Sequence, residues 1–202
     1  MGDKAVFTAA LVGALLSLFV SGAGVAQPSL ERARRQPIVE GESAAGIRLG
    51  DSEDAVVAAL GGPPLRSERL IGGTREDLVY ELGEPSGDWD ITIRVTFTTA
   101  EMGAEAIQLI ITRRPSAAPP YLGRTTRGYQ PGQPIESARA LYGSPDSVIL
   151  ASSRSAALWW YREAGIVFLP GETVGHDRNE TRFIVLHPFL SPDDLGRLVA
   201  DR

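Results

Sequence analysis

The chain has 202 residues, 43% of them hydrophobic, and a formal net charge of −5, which is enough for one ordinary domain or two small ones. The acidic balance argues against nucleic acid as the main partner, because phosphate binding needs a net basic surface. The complete lack of cysteine excludes disulfides, thiol catalysis, Cys-ligated zinc and iron–sulfur clusters.

Residues 1–26 read as a secretory signal peptide. Lys4, the only lysine in the chain, precedes an apolar run from Ala5 to Val20, and small residues lead to Gly24-Val25-Ala26. An uncleaved anchor over residues 5–26 is the competing reading, but Gly13, Ser17 and the small-residue tail weaken it as a membrane span. The expected product is an exported chain that begins at Gln27, carries no lipid and makes no stable membrane insertion. Residues 27–45 (QPSLERARRQPIVEGESAA) are polar and proline-punctuated and are expected to form a mobile arm, with Arg32, Arg34 and Arg35 solvated.

From residue 46 a pattern appears that the chain uses twice. Residues 46–63 and 128–145 align without a gap, pairing Gly46 with Gly128, Gly50 with Gly132, Gly61 with Gly143 and Pro63 with Pro145. Between these marks, Asp51 and Gln133 fall where a helix cap belongs, and Ser52 and Pro134 fall at the first helical position. Val56, Ala59 and Leu60 share one face, as do Ala138, Leu141 and Tyr142. Each helix is too short to hold itself together, so glycine and proline mark its ends.

Three strands are expected after each helix: REDLVYEL, WDITIRVTF and AIQLIIT, then SAALWWYRE, GIVFL and TRFIVLHP. Ile91, Ile93, Val95 and Phe97 alternate with Thr92, Arg94, Thr96 and Thr98, the pattern of a half-buried antiparallel strand. The expected fold class is α+β: two tandem units, residues 46–112 and 128–190, each a short helix packed on a three-stranded antiparallel meander. Residues 113–127 read as a Pro/Ala/Arg linker. Residues 191–202 read as a C-terminal helix, with Ser191 as cap, Pro192 at the first position and Leu195, Leu198 and Val199 in one stripe.

Alternation along the second unit turns Trp159 and Tyr161 to the core and sends Trp160, Val167, Leu169, Ile184 and Leu186 to the other face. That apolar face is either covered by the C-terminal stripe or offered to a partner. The candidate binding residues are therefore Trp160, Val167, Ile184 and Leu186, with Arg94 on the polar face of the first unit. Groups suited to catalysis are few. His176 sits in the polar loop GETVGHDRNE near Glu172 and Asp177, without the spacing of a metal motif, and Ser152, Ser153 and Ser155 lack a nucleophile elbow. No catalytic residue, cofactor or metal site is expected; a small-ligand or metal site on the His176 loop is the alternative.

The marks Leu60-Gly61-Gly62-Pro63 with Leu78-Val79-Tyr80, and Tyr142-Gly143-Ser144-Pro145 with Trp159-Trp160-Tyr161 and Gly165-Ile166-Val167-Phe168, resemble the BamE/SmpA domain. They are also similar to the related tandem repeat of the beta-lactamase inhibitory protein. The resemblance spans about residues 46–112 and 128–188 and implies a non-enzymatic exported module that binds a protein, as an envelope-assembly accessory or an inhibitor. The chain departs from the first family in having no cysteine to lipidate after its signal. It departs from the second in having no cysteines at all and no alignable inhibitory loop. The expected partner is a protein of the cell envelope, and the expected location is the periplasm or the extracellular medium.

Overall fold

The computed structural model describes residues 28–69, 75–83, 88–98, 103–114, 120–150, 157–173 and 179–186. The signal segment, the His176 loop, Ser152, Ser153 and Ser155, and the C-terminal stretch 191–199 lie outside the described residues. In chain order the elements are α1 (Pro28–Ala33), β1 (Ser43–Ala44), β2 (Ile47–Arg48), α2 (Glu53–Leu60), β3 (Arg66–Arg69), β4 (Arg75–Gly83), β5 (Trp89–Thr98) and β6 (Ala104–Arg113). They continue with α3 (Ile135–Tyr142), β7 (Ser147–Leu150), β8 (Ala157–Tyr161), β9 (Ile166–Thr173) and β10 (Asn179–Leu186).

The fold is mostly β rather than the expected α+β class, and it is not a pair of helix-on-three-strand units. Eight strands form one sheet in the order β3-β4-β5-β6-β10-β9-β8-β7, antiparallel throughout, and β1 and β2 form a separate two-stranded ribbon. Two features account for the difference. Each helix is followed by four strands rather than three, and the additional ones, β3 and β7, are four residues long, too short to show a period. The last strands of the two halves, β6 and β10, then zip together in register from Asn179↔Arg113 to Leu186↔Ala106. A ten-residue β6 left as an edge would expose a long row of unpaired N–H and C=O groups. Pairing with β10 removes that liability and fuses the halves.

One face of the sheet carries an unbroken apolar row, Leu78–Val95–Ile107–Val185–Ile166–Tyr161, every member buried. Val56 and Leu60 of α2 and Ala138 and Tyr142 of α3 belong to the same core cluster. Tyr142, Tyr161, Tyr129 and Phe168 meet there edge to face or tilted, with centroids 5.0–5.8 Å apart.

The helix ends follow the repeat with a shift of one residue. Ser52, not Asp51, is the cap of α2, and its Oγ accepts from the Ala55 amide at 3.3 Å. Pro134 holds the matching place in α3 and offers no side-chain cap. Gly61 ends α2 in the left-handed region, and Gly143 ends α3 at φ 84°, ψ −156°, which only glycine adopts readily.

The stretch expected as a mobile arm is ordered, and the described part of the linker holds it. Leu30 and Ala33, three apart on α1, are buried, and Ile38 is fully buried and bridges Thr125. The Arg34 carbonyl accepts from the Leu122 and Gly123 amides at 2.8 and 3.2 Å, while its guanidinium binds Glu31 and the Pro120 carbonyl and lies over Trp89. Arg34 is thus a clasp, not a solvated charge. Tyr121 is fully buried; its hydroxyl donates to the Gln36 carbonyl at 3.0 Å and accepts from the Ala45 amide at 3.1 Å. That second bond steadies Ala45, held at φ 56° in the two-residue β1–β2 turn.

Glu40 completes the clasp. Its carboxylate accepts from the Thr126 amide at 3.2 Å, from the Thr126 hydroxyl and from the Tyr142 hydroxyl. Burial pushes the Glu40 carboxyl up, but these hydrogen bonds outweigh it and hold the group below its ordinary 4.5.

Two outcomes follow. In Gly61→Val the new Cβ would stand 1.7 Å from Ser29 Oγ and 2.3 Å from its Cβ, at a φ of +81°, so α1 must shift. Gly61→Val and Gly143→Val are each expected to lose at least about 1 kcal/mol by denaturant unfolding, Gly61→Val losing more. Equal stability of variants and parent would show that the helix ends are not under this constraint. Because Glu40 has a lowered folded pKa, its contribution is present above the unfolded value and disappears as pH falls through the folded one. Glu40→Gln should therefore be less stable than the parent near neutrality, with the gap closing below about pH 4.5. Thermal melts across pH 3–7 would read this; a gap independent of pH would refute it.

Candidate functional site

The second face of the sheet holds the residues expected to bind a partner. Cross-strand register places Arg66, Val79, Arg94, Gln108, Ile184, Val167, Trp160 and Ser147 in one row that crosses all eight strands. Arg94, Ile184, Val167 and Trp160 of the candidate set all lie on it, although they come from four strands and from both halves of the chain. Leu186 lies one step along, opposite Ala106, and its side chain is outside the described residues.

Membership in one row does not make these residues a surface. Trp160 and Val167 are 0% exposed and Ile184 is 2% exposed, so they offer no open apolar patch. They form a second cluster with Ala106 and Leu158, separate from the main core. Arg162, two residues beyond Trp160 and hence on the same face, stacks its guanidinium 4.7 Å from the indole centroid. The polar half of the face is closed as well, with Asp77 at 1%, Gln108 at 2% and Thr96 at 3% exposure. Alternation had correctly set these side chains opposite the main core; it carries no information on whether the far face is wet.

Charge on this closed face is mostly matched. Arg94 Nη1 donates to Asp77 at 2.8 Å and to Glu68 at 3.2 Å, and the Thr96 hydroxyl donates to Asp77 at 2.7 Å. Arg75 grips Glu105 through two nitrogens at 3.1 and 3.2 Å. Four atoms on the row remain without a partner: Arg94 Nε, both amide atoms of Gln108 and Trp160 Nε1. Gln108 was not singled out in the sequence, though its place in AIQLIIT, between apolar residues, is the signal that could have found it.

Other places offer less chemistry. A cleft of about 210 Å³ between α1, α2 and the β1–β2 turn is lined by Arg32, Ala33, Gln36, Ala45, Gly46 and Ala59, without converging charges. Burial pushes the Tyr80 phenol up to about 12, and its hydroxyl has no partner, which fits a core tyrosine rather than an acid or base. Among the described residues no three His, Asp or Glu side chains are grouped to hold a metal, and no helix is long and apolar enough to cross a membrane.

Large apolar side chains are exposed at both ends of the sheet and elsewhere. Among the described residues, Leu65 beside β3 is 64% exposed, Val148 on β7 is 55% and Leu141 at the end of α3 is 42%. The two terminal strands differ in character. β3 reads RSER, with Arg66 paired to Glu68 and Glu81, while β7 reads SVIL and carries no charge.

Compared with family models, with curated proteins and with solved structures, the chain matches none.

The unmatched carboxamide gives a direct test. Replacing Gln108 by the similarly shaped Met removes two buried polar atoms that bond to nothing, so Gln108→Met should gain about 1 kcal/mol of stability. A lower melting temperature for Gln108→Met would mean that the carboxamide has a partner in solution.

Proposed function

We propose that this chain is an exported, non-catalytic protein-binding module, acting on a protein of the cell envelope as an assembly accessory or in the manner of an inhibitor. Recognition uses the ends of the sheet rather than its faces. The observation that carries this reading is the placement of Leu65 and Val148, large apolar side chains left in solvent at the two terminal strands, while Trp160, Val167 and Ile184 on the sheet face are buried. Exposed strand edges bind extended protein segments through backbone hydrogen bonds, with adjacent apolar side chains giving selectivity. The Gly-bounded repeat and its likeness to the BamE/SmpA domain and the beta-lactamase inhibitory protein repeat support the same class. The signal-like residues 1–26 support export.

A photo-crosslinking side chain placed singly at Leu65 or Val148, in cells that export the full chain, tests this. At least one end is expected to give a discrete adduct with a different protein. Leu122, 39% exposed and away from both ends in the sequence, serves as the control position. Adducts no more abundant from Leu65 and Val148 than from Leu122 would overturn the reading.

A further inference from the structure

Trp160, Val167, Ile184, Ala106 and Leu158 form a dry cluster on the sheet face turned away from the helices. An antiparallel sheet without a second layer keeps that face in contact with water. Among the described residues no such layer lies here. Every member of the cluster comes from β6, β8, β9 or β10, and Ile149 and Leu169, packed against it, come from β7 and β9. The three helices, Tyr121 and Tyr129 all belong to the other core. Arg162 stacks on the Trp160 indole, but it is one exposed side chain and does not make a layer. Trp160 Nε1 is buried without a hydrogen-bond partner, so what covers it offers no acceptor there and is apolar.

We infer that this face is the docking site of the chain's own C-terminal segment, which lies across β10, β9 and β8 with the stripe Leu195, Leu198 and Val199 against Trp160, Val167 and Ile184. Length and composition choose this occupant. With residues 1–26 removed on export, the other stretches outside the described residues are hairpin turns or linker of four to six residues, whereas 187–202 has sixteen. Those sixteen carry five large apolar residues, Phe189, Leu190, Leu195, Leu198 and Val199. Attachment chooses it as well. β10 ends at Leu186, whose cross-strand partner Ala106 is itself in the cluster, so the segment starts at the cluster's border. Ile184, Val167 and Trp160 stand on three neighbouring strands, a crossing of roughly 10 Å. Residues 191–199, as a helix, run about 13 Å, long enough to pass from Ile184 over Val167 to Trp160. An apolar stripe also suits an indole N–H that has no acceptor. The inference goes beyond the binding reading: it fills this face with the chain itself and keeps it from a foreign protein.

The full exported chain allows the test without any substitution. Nuclear Overhauser cross-peaks from the Trp160 indole N–H should run to methyl groups of Leu195, Leu198 or Val199. Trp89 and Trp159 pack against the main core and should show no such peaks, so they serve as internal controls. A variant adds a second reading. Leu198→Ala loosens the layer by removing packing from it, and should speed exchange of the Trp160 indole proton at least about tenfold while the Val95 amide in the main core stays protected. Trp160 cross-peaks that run only to other segments would overturn the inference. So would an indole proton that exchanges freely in the isolated parent, the result expected if the face is held open for a foreign protein, or one that keeps the parent rate in Leu198→Ala. The photo-crosslinks at Leu65 and Val148 judge the binding reading separately.

Discussion

The pairing of β6 with β10 is the constraint on which the rest of the structure depends. These strands are the last of their respective halves, and eight consecutive register pairs join them. Once they are joined, each has a hydrogen-bonded neighbour on both sides and sits at the centre of an eight-stranded sheet. Central strands are shielded at both edges, so what remains to be solved is the covering of two broad faces. The helix-bearing face is covered by α1, α2, α3 and the segment around Tyr121 and Tyr129, all joined in one core cluster. Among the described residues the middle of the other face is buried too, and its polar members bear the electrostatic cost.

That cost explains the side-chain chemistry of the second face. A mostly buried arginine needs a fixed counter-charge, and Arg94 has Asp77, itself 1% exposed and further held by Thr96. Arg75 and Glu105 repeat the solution one row away. Gln108 stands between Arg94 and Ile184 where the polar half gives way to the apolar one, and it finds a partner in neither. The row therefore records the join between the halves: salt bridges on one side, Ile184, Val167 and Trp160 on the other.

The helix-bearing face is secured by a different means, a set of tyrosine and arginine contacts between distant parts of the chain. Tyr121 joins the turn at Ala45 to the end of α1, Arg34 joins α1 to Pro120 and Trp89, and Glu40 joins Thr126 to Tyr142. Each contact spans scores of residues in sequence and links segments that look like a polar arm and a linker when read alone. Their apolar content is low, so no hydrophobic period announces them. They are ordered because their few buried residues and their backbone groups fit one another, as when Gly123 lies under the Gln36 carbonyl with no room for a side chain.

By itself the sequence determined the local punctuation and the side-chain parity. The paired glycines 46 and 128, 50 and 132, and 61 and 143 all take positive φ, which follows from a property of single residues. The alternation that separated Trp160 from Trp159 and Tyr161 follows from the two-residue period of any strand. It is the folded chain that makes the halves share one sheet, brings Arg94, Ile184, Val167 and Trp160 into one row, and buries the last three of them. Register across β6 and β10 depends on which backbone groups meet, and burial depends on what lies above a face; neither is a property of a strand's own residues. For the same reason β3 and β7 went unread, since four residues are too few to carry a period, and it is their position at the ends of the sheet that gives Leu65 and Val148 their exposure.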